Sequence, residues 1–329
     1  MTKTTFLCGL AALALSSDLS AATPTPTPYA VVARLELGAA THWDYIAVDP
    51  SHHRLYVTRG DHVQVVDLPS AKVVGRISPT AGVHGVAFDL ARGLGFTSNG
   101  KANSVSVFDL DTLEVKAELP LKGEKPDAMV FEAASGKLYV FNGHSDSVDV
   151  IDGATLKSLG TIKTSADPEF AVSDGRGRIF FNLEDHPGVE VIDTATDKVV
   201  ASWPLEGCDG PTGIAMDVAH GLLFSTCQNH VAVVTDAATG KRVGQYKIGG
   251  HPDAVLFDPQ TNMIVTSCGG EAGSLNFTEV VSATQFVDRQ NLRTAPGART
   301  LAMDPANGRI YTPTVVDGRL VLIVAAPKK

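Results

Sequence analysis

Short alternating runs of apolar and polar residues, each ending on an acid, recur along most of this chain. Val63-Gln64-Val65-Val66-Asp67 reads as a strand, Leu68 to Lys72 as a tight turn, and Val73 to Ile77 as the next strand. The pattern returns at Val105-Ser106-Val107-Phe108-Asp109, Val148-Asp149-Val150-Ile151-Asp152, Val189-Glu190-Val191-Ile192-Asp193 and Val231-Ala232-Val233-Val234-Thr235-Asp236. A degenerate copy ends at Glu279. The closing acids fall at 67, 109, 152, 193, 236 and 279, steps of 42, 43, 41, 43 and 43 residues. A constant period in that range marks an all-β repeat array.

Each period also holds an apolar strand, a turn and a second apolar strand, often aromatic. Copies begin at Ile46, Val86, Met129, Ala171, Ile214, Val255 and Leu301, which makes seven. Most of the intervening turns carry Asp-Pro or Gly, as a tight reversal requires. Four strands per period, repeated seven times, predict a seven-bladed β-propeller of four-stranded antiparallel blades. The seventh period lacks an outer strand before Lys329. The run Val31-Val32-Ala33-Arg34-Leu35-Glu36-Leu37 is placed to supply it, completing the last blade and sealing the ring.

The Tyr56-Val57-Thr58 that follows Leu55, the Asp-x-x-Thr-x-Lys turns at Asp152 and Asp193, and the repeat spacing resemble the YVTN-repeat, YncE-like β-propellers. The resemblance covers the chain from about Val31 to Val324. It implies an exported bacterial protein of a family in which many members have no assigned activity and some related propellers bind single-stranded DNA. It carries no catalytic motif onto this sequence.

The first thirty residues change the picture. Lys3, an apolar run from Phe6 to Leu15 and Ser20-Ala21-Ala22 read as a secretory signal peptide at 1–22, cut after Ala22. Thr23 to Pro28 holds three Thr-Pro pairs, so 23–30 is expected to be a stiff linker. Residues 31–329 are then one propeller domain, periplasmic or secreted, with no membrane span and expected as a monomer. The net charge of -9 argues against broad phosphate binding, so nucleic acid is the weakest partner class. With Cys8 lost in the signal, Cys208, Cys227 and Cys268 remain in an oxidising compartment. Cys208 and Cys227 sit at the same end of one hairpin and are the expected disulfide. Cys268 is left as a free thiol, with no local base to activate it.

In a propeller, loops leading into the innermost strands open around one channel mouth, where binding residues belong. Here those loops carry His42, Trp43, Asp44, His84, Asp127, Glu169, Asp253 and Arg299, and Arg59 follows the first hairpin. Imidazole with carboxylate can hold a divalent metal, and carboxylates with an arginine can hold a zwitterion. A purely structural alternative stands beside this. Asp44 and Arg59 would face each other as a cross-strand ion pair, and the Asp residues before inner strands would accept backbone N–H bonds from neighbouring blades. Trp43 is placed either to stack on a base or sugar or to pack over the inner strands.

Nucleophile elbow, phosphate loop and CxxC motifs are absent. The two tryptophans are too few for the repeated motif of quinone-dependent propellers. The sequence thus points to a binding or interaction module that takes a small molecule or a protein at the channel mouth. A metal-assisted lactonase- or lyase-type enzyme using the same residues is the alternative, and single-stranded nucleic acid binding the second.

Overall fold

The computed structural model describes residues 28–328; the expected signal peptide and most of the Thr-Pro tether lie outside them. Among the described residues all regular structure is β. Seven four-stranded antiparallel sheets follow one another as blades, at residues 46–77, 83–120, 126–163, 168–204, 211–247, 252–293 and 302–327. In the first six blades the strands pair in chain order, innermost to outermost. The seventh takes its outer strand, Tyr29–Ala39, from the start of the described chain, antiparallel to Arg319–Pro327. That strand begins two residues before the Val31 expected from the pattern.

Acids set the turns, one in every blade and a second in the first five. At or just past the end of every innermost strand, Asp49, Asp89, Glu132, Asp174, Asp217, Asp258 and Asp304 accept backbone N–H bonds from residues two or three further on. The acids that mark the period, Asp67, Asp109, Asp152, Asp193 and Asp236, accept from the backbone N–H and hydroxyl of Ser70, Thr112, Thr155, Thr196 and Thr239. Glu279 departs from this. One methylene longer than Asp, it reaches across to Arg289 at 2.5 Å, and its hairpin runs on to the Ser282–Gln285 pair. The degenerate copy is therefore mid-strand, not a turn.

The second and third strands of the blades are buried over most of their length, which explains their largely apolar character. Outer strands alternate between half-buried and exposed positions. Apolar clusters fill every junction between blades. Tyr56, Val65 and Phe108 pack between the first and second, Phe180, Val191 and Leu223 between the fourth and fifth, and Leu37, Leu55 and Leu322 across the closure. Each buried aromatic removes on the order of 150–250 Å² from water, so each junction is held by a large hydrophobic contribution.

Arg59 secures the closure. It is 5% exposed, and its guanidinium donates to the carbonyls of Leu37 (2.7 Å) and Ala39, to Thr41 Oγ1 (2.8 Å) and to Gln64 Oε1. The expected ion pair with Asp44 is not formed, because the carbonyls at the end of the closing strand occupy the guanidinium instead. Arg59→Met keeps the aliphatic stem but leaves four acceptors, the buried Leu37 carbonyl among them, without their donor. It is expected to lower unfolding free energy by about 3 kcal/mol in urea denaturation and to speed proteolysis near residues 37–45. Wild-type stability in that variant would show that the latch is idle.

Candidate functional site

One residue from each blade stands at the entrance to its innermost strand: Asp44, His84, Asp127, Glu169, Thr212, Asp253 and Arg299. In blades two to six the residue before it is paired with the neighbouring strand: Val83 with Asn99, Pro126 with Asn142, Pro168 with Leu183, Pro211 with Cys227, Pro252 with Cys268. Pairing then lapses and resumes three residues further on, at Val86, Met129, Ala171, Ile214 and Val255. The same bulge recurs five times and releases the ring residue from the regular pleat.

Backbone carbonyls at these entrances tie blade to blade. Tyr45 N–H donates to the carbonyl of His84 (3.2 Å), Ser98 Oγ to that of Asp127, Asn182 Nδ2 to that of Thr212 (2.8 Å) and Thr212 Oγ1 to that of Pro252 (3.2 Å). Ser267 Oγ donates to the carbonyl of Arg299, and Thr300 Oγ1 to that of Asp44 at 3.0 Å. The sequence suggested that the ring aspartates would make these ties with their carboxylates. The ring residues' carbonyls do so instead, accepting mostly from side-chain donors, and the acids are left for other partners.

The freed charges alternate over five of the seven ring positions. Arg299 Nε lies 2.6 Å from Asp253 Oδ2, and its terminal nitrogen 3.9 Å from Asp44 Oδ1. His84 Nδ1 lies 2.6 Å from Asp44 Oδ2 and 3.6 Å from Asp127 Oδ1. Burial opposes the charge on His84, but the hydrogen bond to Asp44 and the two acids outweigh it and hold His84 above the usual histidine range. Burial and then Asp44 push Asp253 up to about 6 in spite of Arg299. Burial and Asp44 likewise push Asp127 up to about 6, and its Oδ1 has no hydrogen-bond partner among the described residues.

Tyr45 links two distant blades. From blade one its side chain crosses the channel, tilts against Phe170 at 5.0 Å between centroids, and donates to Glu169 Oε1 at 3.4 Å in blade four. Burial, reinforced by Asp127, Glu184, Asp253 and Asp44, holds Glu169 well above the usual carboxylate value. Asp167 beside it is raised to about 7 by burial and Glu184.

Of the residues singled out in the sequence, Asp44, His84, Asp127, Asp253 and Arg299 form one contact chain. Glu169 joins through Tyr45, and His42 approaches His84 ring to ring at 6.1 Å. Arg59 faces the closing strand. Trp43 packs against the closure cluster with Arg299 over its ring at 5.6 Å, leaving that face taken. Cys208 and Cys227 form a disulfide, and Cys268 is a buried thiol pushed up to about 12, chiefly by burial. Tyr45, Asp167 and Thr212 lie in the same entrance loops but are not among the residues expected at the site from the pattern. The step between ring residues, at 44, 84, 127, 169, 212, 253 and 299, was the available signal for Thr212.

The raised acids fix a pH dependence. Between 4.5, the ordinary glutamate value, and its raised folded value, Glu169 keeps a proton that the unfolded chain has lost. Its contribution is therefore most favourable at low pH and declines as pH rises through that window. Glu169→Gln keeps the acceptor for Tyr45 and removes the charge. The Tm at pH 7.5 is expected to rise by about 2–4 °C, and the gap to wild type to close below pH 4.5. A variant less stable than wild type at pH 7.5 would contradict this.

No protein-family model matches the chain, and no curated protein matches it. Solved structures do. A chain of Kuenenia stuttgartiensis Hydrazine Synthase is 16% identical, with a TM-score of 0.76 over 89% of this chain and 97% of that one. A chain of the Mitotic Checkpoint Complex is 14% identical, with a TM-score of 0.76 over 98% of this chain and 99% of that one. At such identity the likeness carries the fold and nothing finer: this chain is a seven-bladed β-propeller.

Proposed function

We propose that this protein is an exported interaction module of the YVTN-repeat propeller type whose channel mouth receives a cationic group, on a small molecule or on a protein partner. The observation that carries this reading is the excess of enclosed acid. Four ring carboxylates, Asp44, Asp127, Glu169 and Asp253, face two ring cations, His84 and Arg299. Both cations lie on one side. Asp127 and Glu169 occupy consecutive ring positions with no ring cation between them, and after burial itself it is Asp127 that most raises the proton affinity of Glu169. A bound cation relieves that repulsion, so the energy stored in it is recovered on binding.

The basic start, apolar run and small-residue site of residues 1–22 support export, as does the Cys208–Cys227 disulfide. The acids around the mouth, and the Arg299 guanidinium over Trp43, argue against a nucleic-acid platform.

A thermal-shift panel tests the reading at constant ionic strength. Putrescine, agmatine and tetramethylammonium serve as cations, with sodium acetate and sodium phosphate as anion controls. At least one cation is expected to raise Tm saturably at pH 7.5. The effect should be smaller at pH 5.5, where protons held by the raised acids compete, and several-fold weaker in Glu169→Gln. Equal shifts from the anions, or cation binding indifferent to Glu169→Gln, would sink it.

A further inference from the structure

His42, Asp44 and His84 each bring a metal-ligating atom to within 4.8 Å of the others. Two come from the first blade's entrance and one from the second's, so the fold makes this juxtaposition, not a local sequence motif. His84 offers Nδ1. Its opposite edge, Cδ2 and Nε2, lies against Gly100, where a Cβ would stand 2.8 Å from the ring. The glycine thus lets the imidazole lie with Nδ1 turned toward the acids. Asp44 Oδ2 meets that nitrogen at 2.6 Å.

A fourth group points to the same place. Asp127 is 8% exposed, its Oδ1 is fully shielded and without a hydrogen-bond partner among the described residues, and it lies 3.6 Å from His84 Nδ1. A buried carboxylate oxygen left unpaired is costly, and such an atom beside the His84 imidazole, which Asp44 also meets, has the chemistry of a ligand. His42 sits on the exposed entrance loop with no side-chain hydrogen bond among the described residues, free to turn inward.

We propose that His42, Asp44, His84 and Asp127 bind a divalent transition-metal ion of the zinc type. The inference rests on the reading of the mouth as a receiver of positive charge and names one such charge. Two imidazole nitrogens and two carboxylate oxygens are a four-donor set suited to Zn²⁺ and a poor one for Mg²⁺ or Ca²⁺, which favour oxygen alone. The two carboxylates match the ion's charge, and the ion takes the place of the proton shared by Asp44 and His84. Tyr45, Glu169 and Asp253 lie outside the set and remain available to an organic cation.

The untagged chain, stripped with a chelator, is titrated with zinc chloride by calorimetry, and bound metal is counted after gel filtration. One equivalent is expected, not displaced by millimolar Mg²⁺. His42→Ala, at an exposed position, and Asp127→Asn should each weaken binding at least tenfold. His220→Ala removes a peripheral histidine that pairs with Asp217 at 2.6 Å and should change nothing. Absence of stoichiometric zinc, or zinc binding unaffected by His42→Ala and Asp127→Asn, overturns the proposal. If amine-driven stabilisation that depends on Glu169 then persists, the metal assignment alone has failed; if it too is absent, the reading of the mouth falls with it.

Discussion

A ring of sheets holds together only if every blade has a neighbour on both sides, and here that condition rests on one antiparallel pairing, Tyr29–Ala39 with Arg319–Pro327. It covers what would otherwise be an open sheet edge, and it completes the cluster that joins blade seven to blade one. The closing strand ends only three residues before His42. Arg59, held by its last carbonyls, therefore links the seal of the ring to the geometry of the mouth. Closure and site share one segment, so strain in one is felt in the other.

The mouth runs against the economy of the rest of the fold. Elsewhere, buried acids are satisfied: those that end the inner strands each accept backbone N–H bonds in a turn. At the ring, Ser and Thr hydroxyls and an Asn amide satisfy the entrance carbonyls instead, so the carboxylates are not needed for joining blades. They crowd together with too few cations, and burial first, then the neighbouring acids, raise the proton affinity of Asp127, Glu169 and Asp253. Local destabilisation tolerated by an otherwise well-satisfied scaffold is the feature on which the proposed cation site rests.

The period, the count of blades and the strand that closes them were legible because burial on both faces writes apolar runs at a fixed interval, and short turns need Asp, Gly and Thr. The Cys208–Cys227 pairing followed from hairpin topology alone. Side-chain partners were less accessible. Asp44 and Arg59 sit at positions that suggest a cross-strand pair, yet Arg59 turns to carbonyls some twenty residues earlier in the chain, and Asp44 to residues forty positions later and at the far end. Tyr45 reads as one more apolar residue opening a strand. That it crosses to blade four is a property of the closed circle, and no stretch of sequence contains it.

Tyr45 also braces the ring across its axis. With its ring against Phe170 and its hydroxyl at Glu169, one side chain joins blade one to blade four, two blades far apart in sequence. Any charge gained or lost at Glu169 is therefore transmitted to the first blade, whose neighbour in the ring is the closing strand.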